Sequence, residues 1–148
     1  MSQKKAGTTD DFDPLAFRPH GRVTFTIDDN VLICDAVGPF NKELIEAIEA
    51  VEIDLIHEIK ENEKWGDIVV ISGSALGSEA TLEAFTAYLK KLVALGLVSN
   101  VTALALSDTV EGASIMKPRL IQAYAEAGIP LTVFPKVNEA MVWVKLHL

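Results

Sequence analysis

From Arg22 onward, hydrophobic and polar residues fall into two periodicities that alternate along the chain. Val23, Phe25 and Ile27 alternate with Thr24, Thr26 and Asp28, the period-two pattern of a strand with one buried face. Asp28, Asp29 and Asn30 make a turn, and Val31–Val37 reads as the hairpin partner, closed by Gly38 and Pro39. Asn41 then caps a long helix in which Leu44, Ile48, Val51, Leu55 and Ile59 recur at helical spacing. The opposite side carries Glu43, Glu46, Glu49, Asp54, Glu58 and Glu61, read as a solvated face rather than a docking surface.

Trp65 and Gly66 close that region, and the β-branched run Ile68–Ile71 predicts a central strand covered on both sides. After a loop from Ser72 to Gly77, Leu82, Phe85, Leu89, Leu92 and Val93 mark a second helix. Glu79 and Glu83 near its start, and Lys90 and Lys91 near its end, suit the helix dipole, and Gly96 stops it. Val101–Leu106 is the next strand, followed by a polar loop from Ser107 to Ser114. A third helix is expected with Pro118 in its first turn and Leu120, Ile121 and Tyr124 on one face, ending at Gly128 and Pro130. Leu131–Phe134 forms a last short strand. A helix from about Asn138 to Leu146 offers Ala140, Trp143 and Val144 for packing. The order β-β-α-β-α-β-α-β-α predicts one α/β domain over 22–148, with parallel pairings and right-handed crossovers after the opening hairpin. Residues 1–21 follow neither period and are expected to form a flexible tail, from which Phe12, Leu15 and Phe17 are free to dock.

Composition narrows the range of functions. At 148 residues and 49% hydrophobic content the chain can build one sizeable core. A net charge of −8 repels phosphate backbones and anionic lipid, so neither nucleic acid nor a membrane surface is an expected partner. No window approaches the about 20 apolar residues of a spanning helix, since Leu92–Val98 is interrupted by Ser99 and Asn100. Lys4 and Lys5 are not followed by an apolar stretch, so no signal peptide is expected. Cys34, the single cysteine, cannot form an internal disulfide, which fits a reducing compartment and a cytoplasmic location.

Three stretches carry a resemblance: Val37-Gly38-Pro39-Phe40 at the end of the hairpin, Gly128-Ile129-Pro130-Leu131-Thr132-Val133-Phe134, and Glu139-Ala140-Met141-Val142-Trp143-Val144. With the element order, they make residues 22–148 resemble the SpoIIAA-like superfamily. That superfamily comprises the STAS domains of anti-sigma-factor antagonists and their Sec14-related members, and the Sec14-related group is the nearer. The resemblance implies a mixed sheet with helices packed on it. A flavodoxin-like fold would begin with a strand and a phosphate-binding turn, and would lack the hairpin. In the antagonists, a serine following an aspartate at the start of the helix after the central strand is the phosphorylated switch. Here the matching positions fall near Ser78 and Glu79, with no Asp-Ser pair, so the phosphoserine switch does not carry over.

The chemistry-bearing residues are sparse. Ser72, Ser74, Gly77 and Ser78 form a small, hydroxyl-rich loop leading into a helix, where free amide groups receive anions. In parallel sheets this loop and the one holding Ser107 and Asp108 lie beyond the strands' carboxyl ends, where ligands tend to bind. Lys117 and Arg119 are the basic pair near those loops. These eight residues are the expected ligand or partner surface, with a plain turn capped by Ser78 and internal salt bridges as the simpler readings. No P-loop lysine or GxGxxG spacing occurs, and Ser74 sits one position early for a nucleophile elbow. His20, His57 and His147 are scattered, and no metal or cofactor motif is present. Cys34, mid-strand in an apolar run, reads as an inert buried thiol. Asp35 falls on the sheet face of Val31, Ile33 and Val37, which marks either a solvent-facing patch or a polar group in an interface.

The expected function is that of a non-enzymatic binding module acting through a protein partner or as a homodimer through exposed strand edges. The alternative is a carrier or sensor for a small apolar or anionic ligand, distinguished by large apolar side chains lining a cavity. An enzyme ranks third.

Overall fold

In the computed structural model, which describes residues 3–11 and 19–148, six strands pair in their order along the chain. They are β1 (Gln3–Thr8), β2 (Arg22–Asp28), β3 (Val31–Val37), β4 (Gly66–Ser72), β5 (Val101–Leu106) and β6 (Thr132–Phe134). The first three are antiparallel neighbours, and β3 to β6 run parallel. Four helices, α1 (Lys42–Ile59), α2 (Glu79–Ala94), α3 (Ala113–Ala127) and α4 (Val137–Leu146), complete a single α/β domain with a mixed sheet.

The layering follows from handedness. The crossovers carrying α1, α2 and α3 all step in the same direction along the sheet, so right-handed connections put all three helices on one face. The chain leaves β6 at the edge, and α4 folds back over the other face. Alternation sorts the strand residues accordingly. Phe25, Leu32, Cys34, Ile71, Leu104 and Leu106 meet the three-helix layer. Val31, Ile33, Ile68, Ala103 and Ala105 meet Ala140 and Val144 of α4. Phe25, Leu32, Ile68 and Leu104 are fully buried, each contributing about 1.5–3 kcal/mol of hydrophobic stabilisation. The five expected strands from Val23 onward and the helix order are all present, and Ile68–Ile71 is the predicted central strand.

Several boundaries differ from the sequence expectation. Gln3–Thr8, expected as tail, is instead the edge strand β1, paired from Gln3↔Asp28 to Thr8↔Thr24 with a bulge between Lys5 and Gly7. It is held by main-chain bonds to the open edge of β2, which need no side-chain periodicity, and Thr9 Oγ1 accepts the Val23 amide at 3.0 Å. Phe12, Leu15 and Phe17 lie outside the described residues. Gly66 begins β4, and α1 stops earlier, at Ile59. Helix α3 starts at Ala113, one turn before the expected place, so Pro118 lies inside it; the carbonyl it leaves unpaired belongs to exposed Ser114, where solvent satisfies it. Ile121 and Val93, expected on buried faces, are 42% and 44% exposed.

On α1 the acidic face is mostly solvated, as expected, but half-buried Glu49 pairs with Lys91 of α2 at 2.9 Å. Asp35 and Val37 do share the α4 side of the sheet and are exposed, because α4 packs chiefly on β4, β5 and β6 and reaches β3 only at Val31 and Ile33. Among the described residues no helix is long and apolar enough to cross a membrane.

Candidate functional site

The loops that the sequence singled out do come together. Gly38–Phe40, Ser72–Ser78 and Ser107–Gly112 sit side by side beyond the carboxyl ends of β3, β4 and β5. They are joined by the bridges Phe40↔Gly77 and Ser74↔Glu111. Their polar groups, however, are already engaged within the chain. Ser78 Oγ caps α2 by accepting the Thr81 amide at 3.1 Å. Ser74 is buried and its Oγ accepts the Leu76 amide at 3.2 Å. Ser107 Oγ accepts the Thr109 amide at 3.2 Å. Lys117 pairs with Asp108 at 2.6 Å and Arg119 with Glu79 at 2.5 Å. Ser72 is exposed, while Gly77 lines the cavity described next. Ser78→Ala should therefore lower folding stability by about 1 kcal/mol, the scale of a lost N-cap, in a urea titration.

Behind these loops, between the sheet and its three-helix face, lies a cavity of about 110 Å³. Val23, Phe25, Ala36, Val69 and Ile71 form its sheet wall. Leu44, Ile45 and Ile48 from α1, Leu82, Phe85 and Leu89 from α2, and Met116 and Leu120 from α3 enclose it. Among its liners Phe40, Ile48, Asp67, Val69, Gly77, Phe85 and Leu120 are half-buried, so the space is not fully sealed.

The floor is polar. The ligating atoms of Cys34 on β3, Glu52 on α1 and Asp67 on β4 lie within 4.8 Å of one another. The Cys34 thiol donates to Glu52 Oε2 at 3.2 Å and lies 3.6 Å from Asp67 Oδ1. Tyr88 of α2 donates to Glu52 Oε1 at 2.6 Å. Local structure explains the meeting. Glu52 is in phase with Leu44, Ile48, Leu55 and Ile59, so the helix buries it. Asp67 shares a strand face with Val69 and Ile71, and the parallel register sets Leu32 against Asp67 and Cys34 against Val69, one pleat away.

Burial sets the charge state of the cluster. Asp67 is pushed well above the usual carboxyl range by desolvation and then by the charge of Glu52. Desolvation also raises Glu52, but its hydrogen bonds from Tyr88 and Cys34 pull it back, so of the two Asp67 is the last to ionise. Desolvation and the two acids push the Cys34 thiol well up; the thiol is buried, as expected, though in a polar rather than apolar setting. Among the described residues, no lysine, arginine or histidine lines the cavity. His20, His57 and His147 are exposed, as expected.

Sequence reasoning missed Glu52 and Asp67. The signal was present in each case: an acid in phase with an apolar stripe, and an acid opening an apolar strand on its inward face. No family model matches the chain, and no curated protein or solved structure is significantly similar to it. Fold and site define a class: an α/β domain with an acid-floored apolar cavity between a mixed sheet and one helical layer.

Proposed function

We propose that this chain is a SpoIIAA-like binding module that carries or senses a small, largely apolar ligand, without catalysing a reaction on it. The observation that carries this reading is the cavity beneath α1–α3, lined by large apolar side chains from both layers. Engineered apolar cavities of about 150 Å³ take up benzene, so a compact hydrocarbon body is the right scale for a partly open space of about 110 Å³. The resemblance of residues 22–148 to Sec14-related members points the same way. Recognition of a protein partner through the strand-end loops has less behind it, because Ser74, Ser78, Ser107, Lys117 and Arg119 are bonded within the chain. An anionic ligand is disfavoured in the cavity, whose floor is acidic.

Cyclopentane tests the reading. Near saturation it should raise the thermal midpoint by roughly 5 °C, the shift of a ligand present at about 100 times its Kd. Val69→Phe, which fills the cavity from β4, should melt cooperatively without responding to cyclopentane. An unresponsive native protein would remove the cavity from the functional account.

A further inference from the structure

We propose that the ligand of this cavity carries a cationic head, a protonated primary amine, seated on Glu52 and Asp67 with its apolar body beneath α2 and α3. This rests on the cavity being a ligand site and specifies what it selects. Asp67 is half-buried and lines the cavity, and its side-chain hydrogen-bonding contact among the described residues is the thiol 3.6 Å from Oδ1. The two carboxyl groups offer more acceptor positions than the Cys34 thiol and the Tyr88 hydroxyl fill, and an ammonium group brings three donors.

The charge balance points to the same occupant. The titratable groups facing the carboxyl pair are Cys34 from β3, Tyr88 from α2 and Tyr124 from α3, none of them cationic. In the empty protein the pair keeps a proton because two carboxylates cannot both ionise in apolar surroundings. An incoming ammonium replaces that proton, which leaves to the buffer, and both carboxylates then face a cation at hydrogen-bond range. A bare metal ion fits less well. Cys34 would have to release a strongly held proton, Tyr88 is committed to Glu52, and the apolar space above the acids would be unused.

Calorimetric titration of the full chain with cyclopentylamine, cyclopentanol, cyclopentane and Zn²⁺ alone separates the cases. At pH 7.5 cyclopentylamine should bind at least tenfold more tightly than cyclopentanol. Its affinity should rise between pH 5.5 and pH 8 with buffer-dependent proton release, while that of cyclopentanol stays flat. Asp67→Asn should abolish the amine's advantage over cyclopentanol, and the isosteric Glu52→Gln should do the same. Equal binding of amine, alcohol and hydrocarbon would overturn the cationic head while leaving the cavity reading intact. No binding by any of the three would overturn both. Stoichiometric Zn²⁺ that displaces the amine, or an amine preference that survives both substitutions, would also overturn it.

Discussion

Gly38→Ala is expected to remove about 3–4 kcal/mol of folding stability, a large share of the roughly 5–15 kcal/mol that holds a domain of ordinary stability together. A β-carbon at position 38 would stand 2.0 Å from the Ser74 carbonyl oxygen and 2.9 Å from the Phe40 ring. Neither neighbour can retreat cheaply. Ala75 donates to Glu111 O at 2.8 Å, Phe40 donates to Leu76 O at 2.8 Å, and Gly38 itself donates to Ser72 O at 3.2 Å. Three strand-end loops thus converge on one missing side chain. Gly96→Ala provides the contrast: φ is +70° and nothing lies within 4 Å, so only the left-handed backbone is penalised, at about 1–2 kcal/mol. Urea unfolding of both variants measures the difference. Equal losses would show that crowding at Gly38 does not matter.

Asp67→Asn should stabilise the ligand-free protein, and by an amount that grows with pH. Below about pH 4, the ordinary carboxyl range, Asp67 is protonated in folded and unfolded chains alike and contributes no pH dependence. Above it the unfolded chain releases the proton while the folded one retains it, so stability falls as pH rises toward the raised folded value. Asparagine does not titrate, and the gap between the two proteins should reach about 1–3 kcal/mol near pH 8, the usual scale for relieving a poorly compensated buried polar group. Parallel denaturation curves from pH 4 to 8 provide the check. A gap that stays constant or narrows would mean that Asp67 is not held protonated.

The fold was largely legible in the sequence because its signals are local. Val23, Phe25 and Ile27 declare a strand by period two, Leu44 to Ile59 a helix by period 3.6, and Asn41 and Ser78 cap the helices as expected. What the patterns did not disclose was structure made by the backbone. Strand β1 forms by adding main-chain bonds to the edge of β2, a process indifferent to whether its residues alternate. Pro118 was expected to open α3, yet a proline is tolerated further in wherever the orphaned carbonyl can reach water.

The site was less legible. The strand-end loops were read as a binding surface because ligands in parallel sheets tend to bind beyond the carboxyl ends of the strands. Here α1, α2 and α3 lie on the same face, and the loops bond to one another instead.

Element order, the apolar faces and the excess of negative charge were therefore properties of the sequence itself, each encoded within a few neighbouring residues. The meeting of Cys34, Glu52 and Asp67, drawn from β3, α1 and β4, was decided only by the tertiary structure. It depends on the parallel register of β3 with β4 and on the crossover between them that lays α1 on the sheet over β1, β2 and β3. Both are long-range constraints that no local periodicity expresses. Together they turn two acids on apolar faces into the floor of a cavity.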